Sequence, residues 1–434
     1  MPKTHTFARL ASAGQGRRLF LLSWMAYAAA YVGRYNYSAV MSAITAEGTL
    51  TLSAAGAVST GYFVCYAAGQ ILCGMLSQKC SPFGMIPVGL ALSAGCNFGM
   101  ALAPAAAMPA LWAANGLFQA MVWPPIVRLF AECMPLTQQD SACVSINSTT
   151  PAGTLGAYAL SAAALALAGW RMAFWACGAL MLAAAALWLA GSASLRRAAQ
   201  AGPSGPSSPA APAPQPAPQK EKGAARGLLP ALFAAGLLWL VVPAMLHGGL
   251  KDGVTSWVPS MIQSNFGASP AFSAAVSMVL PLVNLTGAYL AGWLDHQVFR
   301  NEVRTSAALM GAALVCLLAL PLAVRISLPL SVVLLAATTA LMLGVNTMFI
   351  NVMPVRIGRS SGAAVISGSL NAITYLGAAI ATWGIGAAAE GFGWGAVFVL
   401  WAVMAAAALA VCLLLAGPWG RFALACEAER GERV

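Results

Sequence analysis

LFLLSWMAYAAAYVGRYNYSAVMSAI, residues 19–44, is an apolar run of 26 residues that contains a single charge, Arg34. At about 1.5 Å of rise per residue it makes a helix of roughly 39 Å, longer than the ~30 Å hydrocarbon core of a bilayer. The run is also too long for the 7–15-residue apolar core of a secretory signal, so an uncleaved first transmembrane helix is expected. Arg34 lies ten residues from the far end of the run, about 15 Å below the membrane face. A cation at that depth costs about 2.5–3.5 kcal/mol even on the lenient insertion scale, so it faces a protein interior or an aqueous cavity and has something to bind.

The same reading extends outward along the chain. Of 434 residues 60% are hydrophobic and 8% charged, where a soluble domain carries about 25% charged residues. Twelve apolar segments are long enough to span: 19–44, 52–77, 83–106, 108–133, 142–167, 171–192, 228–262, 269–293, 304–325, 327–353, 360–388 and 392–416. The expected fold class is an all-α membrane protein of twelve transmembrane helices. The seventh segment carries Lys251, eleven residues from its far end. Arg34 and Lys251 are therefore expected at one depth, as the two parts of a divided anion site.

The net charge of +11 raises the question of nucleic acid, and its distribution answers it. Of the 22 Lys and Arg, the spans leave 18 in the termini, the long central loop and alternate connections, and only Arg171 and Arg325 on the opposite side. That bias is the positive-inside rule: both termini and the central loop are expected in the cytoplasm, and no nucleic-acid partner is expected. Residues 193–227, rich in Pro, Ala, Ser and Gly, form an expected disordered cytoplasmic linker. The expected organisation is a tail 1–18, a six-helix bundle 19–192, the linker 193–227, a second six-helix bundle 228–416 and a cytoplasmic tail 417–434.

The two halves echo one another. Gly69, Gly74 and Leu76 match Gly287, Gly292 and Leu294 at an offset of 218, and Gly169, Trp170 and Phe174 match Gly393, Trp394 and Phe398 at an offset of 224. Twelve helices as two six-helix repeats resemble the major facilitator superfamily of transporters. That resemblance implies halves that rock about a central cavity, with the first and seventh helices facing each other across it.

Side-chain spacing sorts the polar residues onto faces. Tyr27, Tyr31, Arg34 and Ser38 recur at intervals of four, three and four, and so share one face of the first helix. They form either a cavity wall with phenols beside the cation or an aromatic stripe packed on a neighbour. His247 precedes Lys251 by four and shares its face, as a further ligand or as a packed histidine. Asp252 points about 100° away from Lys251 and is either its ion-pair partner or that of another group. Three further rows, Asn115–Gln119–Trp123, Asn147–Thr150–Thr154 and Ser367–Asn371–Tyr375, are cavity residues or helix-to-helix hydrogen bonds. The ten cysteines show no ligand spacing, and no nucleophile–base set appears, so neither metal, cofactor nor catalytic residue is expected and the chain is not an enzyme. Apart from Asp252, every carboxylate lies at a span end or in a loop, which favours exchange over proton symport.

At these residues the chain resembles the organophosphate:phosphate antiporter family. The resemblance is carried by Tyr27 with GRYNYS (33–38), by NGLFQAMVWPP (115–125) and by KDGVTSWVP (251–259), and it covers both halves outside the linker. It implies that Arg34 and Lys251 hold a phosphate group, Lys251 as a point charge where the family has a forked arginine. It places Tyr27, Tyr31, Tyr66, Gln119 and Trp123 along the substrate pathway, puts Gln70 where members often have a lysine, and Thr150 where glycerol-3-phosphate transporters have a histidine. The implied function is exchange of an organic phosphate for inorganic phosphate by alternating access, with Arg34, Lys251, Tyr27, Tyr31, Tyr66, Gln70, Gln119, Trp123, Thr150, His247, Asn371 and Tyr375 as substrate-binding residues. Its partners would be that small anion, inorganic phosphate and the lipid bilayer, its state a monomer, and its place the inner membrane. A proton-coupled organic carboxylate symporter and a transporter-like sensor of sugar phosphate are the alternatives.

Overall fold

The computed structural model describes residues 7–201, 237–354 and 362–429. Among them the chain is helical throughout, with twelve helical segments at the expected positions. The first six are α1 (Ala13–Ala46), α2 (Leu52–Lys79), α3 (Pro82–Leu102), α4 in two pieces (Met108–Gln119 and Trp123–Cys133), α5 (Leu136–Ala168) and α6 (Trp170–Ala201). Then come α7 in pieces (Leu237–Leu240, Val241–Gly248, Gly249–Gly253 and Val254–Phe266), α8 (Pro270–Phe299), α9 (Glu302–Ile326), α10 (Leu328–Val352), α11 (Gly362–Phe392) and α12 (Trp394–Glu429). Eight of these, α3, α5, α6 and α8 to α12, are long and apolar enough to cross a membrane on that evidence alone. The remaining four are the ones that carry the polar faces or are interrupted.

The interruptions have local causes. In α4 the ladder shortens to three-residue bonds, Met121 to Phe118 and Val122 to Gln119, where Pro124 and Pro125 lack the N–H that would continue it. In α7 the stretch Gly249–Gly253 is a π turn, an insertion that costs stability and is frequent where a helix serves a site. Two helices run past their expected ends. α6 continues beyond residue 192 to Ala201 because SASLRRAAQA favours helix and buries Leu195 and Ala199. The rest of the 193–227 linker lies outside the described residues, but for Ala201 and its neighbours this is helix, where a disordered start was expected. α12 continues beyond 416 to Glu429 and buries Trp419, whose indole donates to Glu302.

Contacts group the chain into two compact units. Unit 1 comprises Met1–Ser204 with Ser256–Leu282 and Thr382–Gly391, and unit 2 Gly205–Thr255, Val283–Ala381 and Phe392–Val434. Within unit 1 the closest pairings are α3 on α6, α2 on α4 and α1 on α5. Within unit 2, α9 packs on both α10 and α12. The sequence echo has a packing counterpart. A Cβ at Gly69 would press into Ala120 and Leu117 of α4, and one at Gly287 into the Ala340 backbone of α10. Gly169 and Gly393, at φ 82° and 78°, each close a helix in the left-handed region just before a tryptophan opens the next; any side chain would be strained there.

The segment before α1 is tied down. Ser12 and Gln15 form a capping box at the start of α1. Upstream of it the Ala8 amide donates to the Ala199 carbonyl at 2.8 Å and the Leu10 amide to the Cys133 carbonyl at 2.9 Å. Arg9 adds a bond to the Met134 carbonyl, and Phe7 packs edge-on against Phe83.

Candidate functional site

Arg34 is buried in unit 1, at 5% exposure. Its backbone is fixed from behind. The carbonyl of Gly33 accepts from Asn115 Nδ2 of α4 (3.1 Å) and Asn97 Nδ2 of α3 (3.5 Å), while Asn97 Oδ1 accepts from Asn36 (2.6 Å) and Asn115 Oδ1 from Ser93. A Cβ on Gly33 would press into the Met181 side chain of α6, which would have to shift to admit it. Asn115 is thus a helix-to-helix bond, the plainer of its two readings.

The Arg34 side chain projects the other way, into aromatic rings. Its guanidinium carbon stands 4.2 Å from the Tyr66 ring centroid, 4.7 Å from Tyr31 and 5.5 Å from Tyr62. Its Nε donates to Gln119 Oε1 at 3.4 Å, and the Tyr62 hydroxyl donates to the same oxygen at 2.8 Å. Each cation–π contact is worth up to about 2 kcal/mol when desolvated. Together they are comparable with the ~3 kcal/mol cost of a mid-membrane cation. Two glycines set the ring positions. Gly153 of α5 lies against Tyr31 and the Ala28 carbonyl, and Gly116 of α4 against the Tyr62 backbone, with no room for a Cβ at either. Tyr27 stacks on Trp123 at 4.7 Å and meets Tyr31 edge-on at 5.0 Å, extending the aromatic wall along α1. A small pocket opens beside the cation, lined by Arg34, Tyr35, Ser38, Ser59, Tyr62, Phe63, Trp112 and Ser256.

The expected residues of unit 1 are therefore unequal. Tyr27, Tyr31, Arg34, Tyr66, Gln119 and Trp123 form one connected cluster. Gln70 lies one turn beyond Tyr66 on α2, with its Nε2 buried and without a hydrogen bond among the described residues. Thr150 is half-buried on α5 and its carbonyl accepts from Thr154, a bond internal to the helix. Tyr62 was missed. Its signal was the spacing of four that puts Tyr62, Tyr66 and Gln70 on one face of α2.

In unit 2, Lys251 and Asp252 pair at 3.3 Å. Adjacent residues of a regular α-helix do not face each other, and these two lie within the π turn. Lys251 Nζ stands 6.0 Å from the Tyr375 ring centroid; Asn371, one turn earlier on α11, is half-buried. His247 is fully buried and held at both nitrogens, by the Pro243 carbonyl and by Asn346 at 3.3 Å each, and it stacks on Phe349. That arrangement suits a packed histidine. Among the described residues no group of His, Cys, Asp and Glu could hold a metal ion.

An all-helical, multi-pass membrane protein with a caged arginine in one unit and a lysine on a broken helix in the other is a membrane carrier by class. The chain belongs to the Major Facilitator Superfamily, whose family model matches residues 23–382; it is a transporter of that family and not an enzyme. It is 23% identical over 415 residues to the membrane sensor protein UhpC of Salmonella typhimurium, covering 92% of this chain and 90% of that protein. With the glycerol-3-phosphate transporter of Bacillus subtilis it shares 22% identity over 298 residues, 66% of each chain. Among solved structures, a bacterial homolog to the human lysosomal transporter Spinster in an inward-facing and occupied conformation superposes with a TM-score of 0.72, covering 96% of this chain and 98% of that one at 14% identity. A D-xylose–proton symporter gives 0.68, covering 91% and 97% at 14% identity. At these identities the structures speak for the fold.

Proposed function

We propose that the protein is a secondary transporter of the inner membrane, with both termini cytoplasmic, that exchanges an organic phosphate for inorganic phosphate by alternating access. The observation that carries the reading is Arg34, a guanidinium buried in unit 1 and surrounded by neutral phenols and an amide. Rings and an amide beside a buried guanidinium suit a site that takes an anion. Lys251 is the proposed second cation, with Asp252 tempering it while no anion is bound. Relatives named for hexose phosphate and glycerol-3-phosphate transport support the phosphate ester as cargo. Six-helix bundles at 19–192 and 228–416 are the proposed moving bodies, and a monomer the proposed state.

Counterflow tests this. Proteoliposomes loaded with labelled inorganic phosphate should release it when hexose phosphates or glycerol 3-phosphate are added outside, and Arg34→Ala should abolish release while the protein still inserts. Release that survives Arg34→Ala, or that responds to carboxylates and a proton gradient alone, refutes the reading. A second reading is favoured by one observation, that a relative matched over 92% of the chain is named as a sensor. A sensor would bind an ester tightly and exchange nothing.

A further inference from the structure

We infer that His247 is a positioning residue for Lys251: bonded to Asn346 and stacked on Phe349, it ties the π turn that carries Lys251 to a second π turn in α10. The inference rests on the reading of Lys251 as a substrate cation. Both turns lie in unit 2, Gly249–Gly253 in α7 and Thr347–Val352 in α10. A π turn forces one extra residue into a helical stretch, at a cost in stability that the surroundings must offset. If the turn in α7 relaxed to regular α-helix, its residues would move around the axis by part of the ~100° that one residue occupies, and Lys251 would point elsewhere. What holds the turn therefore decides where the ammonium group goes.

His247 is placed to hold it. The residue lies one turn before Lys251 and is fully buried. Its Nδ1 is 3.3 Å from the Pro243 carbonyl, which fixes the ring along its own helix, and its Nε2 is 3.3 Å from Asn346 Oδ1. Asn346 comes just before the α10 turn, and Phe349, inside that turn, stacks on the imidazole with centroids 5.8 Å apart. One ring thus touches the α10 turn at its start and at its middle. Burying an imidazole costs free energy unless its nitrogens are bonded. An apolar side chain would fill the same space without that demand; the imidazole adds a directional bond across to α10. The backbone around it is seated on α11, since a Cβ at Gly248 would run into the Thr374 carbonyl and one at Gly377 into the Met245 carbonyl. On the far side of the turn the Thr255 hydroxyl donates to the Lys251 carbonyl at 2.7 Å. Lys251 therefore sits between two fixed points, and His247 is the one that links it to a neighbouring helix.

Equilibrium binding to the purified full-length protein, with labelled inorganic phosphate and glycerol 3-phosphate as separate probes, tests this alongside thermal unfolding of the same samples. His247→Leu leaves Asn346 facing an apolar group, and should lower the unfolding midpoint and weaken both probes by about five- to tenfold, the size of one buried hydrogen bond. Asn346→Leu, made on the other side of the bond, should weaken them by a similar factor. The double variant removes the stranded partner, and replacing both members of a pair by apolar groups is close to neutral for stability. It should therefore recover the wild-type midpoint while its affinity stays low. Recovery of both would show that His247 only packs and would overturn the assignment, as would normal binding by either single variant. Lys251→Ala with Asp252→Asn separates the two levels. Normal binding there, or a wild type that binds neither probe, means that the cation reading has failed and the assignment with it.

Discussion

The difference between the two cations lies in their immediate neighbours. Arg34 is stabilised by rings, so its removal leaves phenols and an amide that tolerate burial. Lys251 is paired with Asp252, a carboxylate at 3% exposure. Breaking a buried pair from one side costs about 3–5 kcal/mol, because a charge is left behind. Lys251→Ala should therefore lower the yield of folded protein where Arg34→Ala does not, and Lys251→Ala with Asp252→Asn should restore the yield while transport stays lost. Size-exclusion profiles of the three variants in detergent check this; equal yields for all three would show that the pair carries no such cost. The sequence marked both cations, since a basic residue deep in a long apolar run is conspicuous. It left open whether Asp252 faced Lys251, because that turns on a helical register that shifts within one π turn.

The helices were legible for a different reason. Length and hydropathy alone place eight of the twelve segments, and the other four were read as spans although polar faces or breaks interrupt their apolar runs. Their ends were harder to read, as α6 and α12 show, because a helix that leaves the membrane continues wherever its residues still favour one. Least legible was which glycines matter. Gly74 and Gly116 look alike in sequence, yet a Cβ at Gly74 meets nothing within 4 Å, whereas one at Gly116 meets the Tyr62 backbone. Gly116→Ala should therefore destabilise by about 1–3 kcal/mol, the usual cost of overpacking. Gly74→Ala should be neutral or gain up to about 1 kcal/mol of helix propensity. Thermal unfolding in detergent separates them. Because Gly116 seats Tyr62 beneath Arg34, the same substitution should weaken phosphate binding as well, and a shift in stability without one in affinity would show that the ring position is immaterial.

Across the whole molecule the arrangement of charge predicts orientation. Counting spans along the sequence, the loop at Gly48 and the junctions at Gly169 and Ser327 are expected on the side that carries only Arg171 and Arg325, and the turns at Cys80 and Arg300 on the basic side. Alkaline phosphatase fused after Gly48 or Gly169 should be active and fluorescent protein dark, and the reverse should hold after Cys80 or Arg300. The opposite pattern would invert the topology and the side on which each substrate is met. Loop charge bears on orientation because the translocation machinery itself responds to it. The sequence could not show which segments pack together, since association in lipid depends on local fit more than on hydropathy.

The tie at the start of the chain bears on synthesis. The Ala8 amide finds its acceptor on Ala199, so the first described residues to leave the ribosome stay without that partner until 191 more have been made. The clasp closes only when the sixth helix is complete, and the N-terminal segment thereby registers that the first half of the protein has been inserted.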